Sequence, residues 1–438
     1  MSMEKLHAMN GTPCACGKEH RFAADVVVGK GVVAKIPEYV KKYGGTKIFV
    51  LSDRNTYAAA GEQVCNILRQ ADIAFSGYCF PNQELEPDEE AVGSAVMHYD
   101  TGCDMIVAVG SGVVNDIGKI LSSMTGKPYM IVGTSPSMDG YASASSSMTR
   151  DGLKISLPSR SADVIIGDTD ILCRAPLHMM KAGLGDMLAK YVSICEWRLA
   201  HLITGEYYCE EVAALIRGAL KRCTDNAEGL LKRDPQAVQA VFEGLVIGGV
   251  AMNYAGISRP ASGVEHYISH VLDMRGVEFG TPVDLHGIQC AVGTLIAAGM
   301  YEKLKTLTPD REKALAHAAA FDYNAHQKML RSLLGKGAES MIALETKEGK
   351  YDQTAHAKRL EIILNNWNEI LQIIDEEVPS LQTLLALMET IDAPKTLAEI
   401  GIEVSLLPEI FRATKDIRDK YVLSRLAWDL DIEEELLS

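Results

Sequence analysis

The sequence predicts an α/β dinucleotide-binding domain of the Rossmann-like, parallel-sheet kind, followed by an all-helical domain. Three observations support this. Short apolar, β-branched runs recur through the first 172 residues, amphipathic stretches such as "AAAGEQVCNILRQA" separate them, and after "CRAPLHMM" such runs stop. Runs that are apolar throughout and bounded by Gly, Asp or Thr fit parallel strands covered on both faces. The expected boundary lies near residue 172, giving 1–172 as the α/β domain and 173–438 as the helical one. A chain of 438 residues, 47% hydrophobic and 23% charged, is long enough for two globular cores.

The strand candidates are "TKIFVLSD" (46–53), "DMIVAVG" (104–110) and "YMIVGT" (129–134), with "LKISLP" and "ADVIIGD" after them. Helices are expected over 178–201, 208–232, 235–255, 260–275 and 285–304, with several more to the end. Pro176, Pro235, Pro260, Pro282 and Pro309 stand near helix starts, where proline is tolerated. The charged stretch 344–359 reads as a solvated linker, and His7, His98, His317 and His356 read as surface residues.

The formal charge of −15 excludes a general attraction to nucleic acid or anionic membrane, so an anionic substrate would need a local basic pocket. No signal peptide is legible at the N-terminus, and no apolar run approaches the length of a membrane span. Ten cysteines then read as thiols in a reducing cytoplasm. Cys14, Cys16 and His20 in "CACGKEH" have no fourth partner nearby and read as structural or incidental.

Two patterns carry chemistry. "VAVGSGVVNDIGK" places Gly110, Ser111 and Gly112 after a strand and ahead of a helix, where backbone N–H groups and the helix N-terminus can cradle a pyrophosphate. The third glycine of the usual fingerprint is replaced by Asn115, and the candidate ribose-binding acid, Asp53, precedes the glycines instead of following them. Any dinucleotide is therefore held in a different strand arrangement. The second pattern lies in the helical half. His266 and His270 share one helix face, His286 stands at a helix start, and Asp186 follows "GLG". Two imidazoles and a carboxylate suit a catalytic divalent metal with open positions for substrate.

"GSGVVNDIGK", "TSPSMDGYASASSSM", "GLGDMLAKY", "SRPASGVEHYISH" and "HGIQCAVGTL" together resemble the bacterial branch of the sn-glycerol-1-phosphate dehydrogenases. These belong to the iron-containing alcohol dehydrogenase and dehydroquinate synthase-like superfamily. The resemblance runs from about residue 20 to 300. It implies that Asp186, His266 and His286 bind a divalent metal (nickel or zinc, with iron also admitted), and that His270 contacts the substrate and acts in catalysis. It further implies that Asp53, Gly112, Val113, Val114, Asn115, Asp116, Thr134, Ser135, Ser137 and Ser143 hold the nicotinamide dinucleotide. Asp139 would lie at the substrate, within a loop whose small side chains let cofactor and substrate approach the backbone.

The implied reaction is the reversible reduction of dihydroxyacetone phosphate to sn-glycerol 1-phosphate, with the metal as Lewis acid on the ketone. Asp53 favours NAD, while Arg54 beside it admits NADP. Arg259, seven residues before His266, is a candidate for the substrate phosphate, with a surface salt bridge as the equal alternative. The competing readings are a glycerol or polyol dehydrogenase of the same superfamily and a dehydroquinate synthase-like cyclase without net redox. A homodimer is the expected assembly.

Overall fold

A computed structural model describes Leu6, residues 8–82 and residues 84–438; His7 lies outside the described residues. Six parallel strands form the main sheet: β1 (Asp25–Gly29), β2 (Lys47–Asp53), β3 (Ala74–Phe80), β4 (Met105–Gly110), β5 (Tyr129–Gly133) and, after a separate hairpin, β8 (Val164–Asp168). The hairpin pairs β6 (Ser145–Arg150) antiparallel to β7 (Leu153–Pro158). The order across the sheet is β1-β8-β5-β4-β2-β3. Strands β4, β5 and β8 are buried along their whole length, as expected of parallel strands covered on both faces.

This order fixes where a crevice forms at the strand ends. The step from β2 to β3 moves toward one edge, and the step from β4 to β5 moves toward the other. The direction in which strands are added therefore reverses between the parallel neighbours β2 and β4, which pair from Ile48↔Met105 to Leu51↔Ala108. In an open α/β sheet the crevice beyond the strand ends at such a reversal is where ligands bind. Asp53 ends one of these strands and Gly110 the other, which is why the acid precedes the glycines in sequence.

The helices that matter below are α1 (Gly112–Thr125), α2 (Leu177–Leu188), α3 (Lys190–Thr204), α4 (Pro235–Ala255), α5 (Val264–Phe279) and α6 (His286–Leu304). The helix expected over 178–201 is two, α2 and α3. Helix α4 has the expected bounds, with Pro235 in its first turn and the Asp234 carboxylate accepting from Gln236 N at 2.9 Å. Its 21 residues are long and apolar enough to cross a membrane, contrary to the expectation from sequence, but most of them are buried in the protein interior. Helix α5 starts at Val264 rather than 260, leaving Arg259 and Pro260 in the preceding turn.

The expected linker at 344–359 is mostly helix. Only residues 349–352 turn, between Gly337–Glu348 and Gln353–Asn365. His356 is fully buried, its Nε2 2.8 Å from Asp429 O, and not a surface residue.

The chain divides into two compact units, one of Met1–Met187 and Ala214–Ile257, the other of Leu188–Ala213 and Ser258–Ser438. A boundary at 172 marks the end of the sheet but not this division. The first unit keeps α4, whose contacts shape the cofactor loop. The second is wholly helical.

Candidate active site

In the first unit, the β4–α1 turn presents the N-terminus of a 14-residue helix with no side-chain cap. Backbone N–H groups of Gly112, Val113 and Val114 are thus left for an anion. Asp53 caps the short helix after β2, its Oδ1 accepting from Thr56 N at 2.8 Å. Thr134 N donates to Gly110 O at 3.0 Å, joining the two strand ends. Ser135 Oγ is buried and has no hydrogen-bond partner among the described residues. An uncapped helix end beside an orphaned hydroxyl fits a bound dinucleotide.

Four of the expected cofactor residues also bond within the protein. Asn115 is fully buried; its amide donates to Gly140 O at 3.0 Å, and its carbonyl accepts from Tyr129 OH at 3.0 Å. Asp116 pairs with Lys119 at 2.8 Å and accepts from Ser147 N at 3.2 Å. The hydroxyl of Ser143 accepts from Lys119 at 3.1 Å and bonds Gly140 O and Ser145 O. Lys119, which sequence reasoning missed, is fully buried and organises this end of the loop. Ser137 is tied to Ser111, Oγ to Oγ, at 2.5 Å, and Tyr141 OH donates to Ser111 Oγ at 3.1 Å.

The loop backbone is also in close contact with two helices. At Gly183 in α2, an added Cβ would stand 1.8 Å from Pro136 O; at Gly249 in α4, one would stand 2.8 Å from Asp139 O. Both helices press on the loop backbone, and Asn253 donates to Ala142 O at 2.6 Å. Glycine at 183 and 249 is therefore required for these helices to lie against the loop backbone. Asp139 is half-buried, and its backbone N–H donates to Asp186 Oδ2 at 2.9 Å.

In the second unit, α5 and α6 bring three histidines together. The ring centroids of His266 and His286 are 5.0 Å apart, and those of His270 and His286 are 6.0 Å apart. Each expected metal-binding ring is fixed through Nδ1. Glu265 Oε1 holds that of His266 at 2.8 Å, and Ser269 Oγ holds that of His286 at 3.0 Å. With Nδ1–H donated to Glu265, His266 keeps its lone pair on Nε2, the orientation seen in metal-ligating histidines. Glu265 is itself placed by Gly263 N, which donates to Oε1 at 2.7 Å. Burial, then the Glu265 carboxylate, pushes the neighbouring Glu196 up to about 8.

Cys290, one turn after His286, was also missed; its Sγ lies 3.5 Å from His286 Nε2. Donor atoms of His266, His286 and Cys290 lie within 4.8 Å of one another. Burial would raise that thiol's pKa, but the two imidazoles outweigh it and lower it. Burial, then His286 and His266, holds His270 well below its ordinary value, with Arg418 and Lys420 adding.

Arg259 does not face a substrate. It is buried, with Nε 2.7 Å from Glu206 Oε1, Nη2 on Glu206 Oε2 at 2.5 Å, and Nη1 donating to Tyr421 O at 2.7 Å. The helical spacing that suggested otherwise assumed a helix from 260, and the helix begins later. Two other basic residues, Arg418 and Lys420, bear on His270, and burial, then Arg259, lowers Lys420 to about 7. Lys420 Nζ donates to Ser262 O at 3.0 Å and stands 5.7 Å from the Tyr267 ring centroid. The buried Tyr267 hydroxyl has no hydrogen-bond partner among the described residues.

Comparison with known proteins agrees with these features. The family model for iron-containing alcohol dehydrogenases matches residues 27–176. The glycerol-1-phosphate dehydrogenase [NAD(P)+] of Halalkalibacterium halodurans is 27% identical over 415 residues, 94% of each chain. That of Bacillus velezensis is 31% identical over 303 residues, covering 67% of this chain and 77% of that one. The chain belongs to the glycerol-1-phosphate dehydrogenase family. Among solved structures, an archaeal alcohol dehydrogenase from a Red Sea brine pool aligns with a TM-score of 0.60 at 14% identity, over 96% of this chain and 100% of that one. That likeness shows a shared fold over nearly the whole chain.

Proposed function

We propose that this chain is an NAD(P)-linked, metal-dependent dehydrogenase that reversibly reduces dihydroxyacetone phosphate to sn-glycerol 1-phosphate. The observation that carries the reading is the pair His266 and His286, each fixed through Nδ1, in a chain of this family. The proposed ligand set is the one the family resemblance implies, Asp186, His266 and His286. Two imidazoles and one carboxylate suit zinc, nickel or iron. When bound, the nicotinamide supplies hydride and the cation polarises the ketone. The uncapped α1 N-terminus would hold the pyrophosphate, and Asp53 the adenosine ribose. His270 and Asp139 would orient the substrate hydroxyls. The polyol dehydrogenase and the cyclase are not favoured, because the relatives that cover most of both chains carry the glycerol-1-phosphate name.

Arg418 and Lys420 replace Arg259 as our candidates for the substrate phosphate. Neither side chain pairs with a carboxylate among the described residues, and both bear on His270. In a chain of charge −15 such cations are what an anionic substrate requires. One charge-assisted contact of roughly 1.5–3 kcal/mol gives dihydroxyacetone phosphate a ten- to hundred-fold advantage in kcat/KM over dihydroxyacetone. The test is NADH oxidation by metal-reconstituted protein on both ketones. Equal rates would defeat the phosphate reading. A preference that survives Lys420→Ala combined with Arg418→Ala would defeat this assignment of the cations alone. Arg259→Ala should leave the preference intact while destabilising the fold by about 3 kcal/mol, since it strands Glu206.

A further inference from the structure

The N-terminal segment carries a second cluster of metal-ligating side chains, which the proposed activity does not use. Residues 10–22 form a tight hairpin. Gly11 N donates to His20 O at 2.7 Å, Cys14 N to Lys18 O at 2.9 Å and Gly17 N to Cys14 O at 3.0 Å. Gly17 has φ +84°, so the turn that folds the two cysteines back toward His20 needs a residue without a Cβ. The side chains of Cys14, Cys16 and His20 converge, with their donor atoms within 4.8 Å of one another. Cys16 Sγ lies 3.5 Å from His20 Nε2. None of the ten cysteines forms a disulfide.

The imidazole is prepared as the active-site rings are. His20 is 1% exposed, its Nδ1 is 3.0 Å from Tyr254 O, and its ring packs 5.2 Å from that of Tyr254. A proton donated from Nδ1 to that carbonyl leaves the lone pair on Nε2, on the side of Cys16. Tetrahedral zinc with bonds of about 2.3 Å to sulfur and about 2.0–2.1 Å to nitrogen sets the two donors about 3.5 Å apart. That is the separation found. Three donors come from one seven-residue turn, with Cys14 and Cys16 closer in sequence than the C-x2–4-C pairs common in structural zinc sites.

We infer that Cys14, Cys16 and His20 form a zinc site that cross-links the N-terminal hairpin, whose His20 ring is anchored on Tyr254 O at the C-terminal end of α4. The hairpin rests there also on Lys18 Nζ, which donates to Ala255 O at 2.9 Å, and its two arms are joined at the base by Asn10, paired with the Phe22 backbone through two bonds of 2.8 Å. A tetrahedral ion takes a fourth donor from outside the turn. The cation's role is structural, because its binding free energy adds to that of the folded hairpin.

Two measurements decide the matter. Zinc X-ray absorption on the untagged, full-length protein should show sulfur donors, and Cys14→Ser combined with Cys16→Ser should remove about one equivalent of zinc per chain together with most of that sulfur signature. His266→Ala should lower the zinc content while leaving the sulfur signature in place. Zinc bound only through nitrogen and oxygen in the wild type would overturn the inference and needs no variant that must fold. So would a double cysteine variant that keeps both its zinc content and its sulfur donors.

Discussion

At the scale of single residues, the chemistry is decided by what holds the ligands. His266, His270 and His286 are visible in the sequence because histidine is chemically distinctive and the spacing of His266 and His270 puts them on one helix face. Glu265 and Ser269 are not visible as partners, because their role depends on where α5 starts and how it faces α6. The same ignorance of that helix start led to the misreading of Arg259. Glu265→Gln, or Ser269→Ala, should each weaken metal binding by about ten- to a hundred-fold, by loosening ring orientation and, for Glu265, by removing charge. Competition of the variant proteins against a chelator for cobalt or zinc measures this without any turnover. Variants that hold metal as tightly as the wild type would refute the role given to these two partners. His270→Ala, whose ring lacks such an anchor among the described residues, should leave metal affinity unchanged.

At the scale of elements, the strands read from sequence are those with unbroken apolar runs. Strand β1, with only a short run, and β3, which carries serine and glycine at its centre and faces solvent along much of its length, were passed over. Strand β6 was hidden in the serine-rich stretch it ends. What the sequence conveyed about 134–148 was that bulk is excluded. It could not convey that α2 and α4 pack on the loop backbone, because those helices begin only at Leu177 and Pro235. Gly183→Ala tests the point. With Pro136 O where the methyl would go, either the loop or α2 must move, at a loss of about 3 kcal/mol or more. Gly218→Ala, in the helix Glu210–Asp225 with nothing within 4 Å of the new methyl, should stabilise by roughly 0.5–1 kcal/mol. Urea midpoints of the two variants, followed by circular dichroism, should move in opposite directions; a neutral Gly183→Ala would show that the loop is not held as tightly as its contacts imply.

At the scale of the whole molecule, the order of sheet then helices was legible, but the discontinuity of the two compact units was not, since it depends on contacts between residues far apart in sequence. Nor did any motif mark the purpose of the last hundred residues. They enclose a buried polar network centred on Asp416, which lies 2.6 Å from His326 Nε2, accepts from Tyr351 OH at 2.9 Å and pairs with Arg425 at 3.4 Å. Burial alone would raise the Asp416 carboxyl, but the His326 hydrogen bond and Arg425 outweigh it and hold its pKa at about 2. His326 moves below its ordinary value, chiefly through burial, so the pair is a neutral imidazole donating to a carboxylate.

Both shifts have the same consequence in acid. A carboxyl with a folded pKa of about 2 and an unfolded one of about 3.9 stabilises the fold above about pH 4, and that contribution fades as pH falls toward 2. A histidine held neutral in the fold favours unfolding once the unfolded chain protonates, below about pH 6.5. Stability should therefore decline from about pH 6.5 downward and fall more steeply below about pH 4. Asp416→Asn should lower stability at pH 7 by about 3–5 kcal/mol, because Arg425 is left buried without its carboxylate. It should also flatten the steep part of the decline, since the titrating group is gone. Denaturant unfolding of wild type and variant across this pH range reads both effects. An unchanged slope below pH 4 in Asp416→Asn would mean that other carboxylates, among the 58 acidic residues of the chain, set its acid limit.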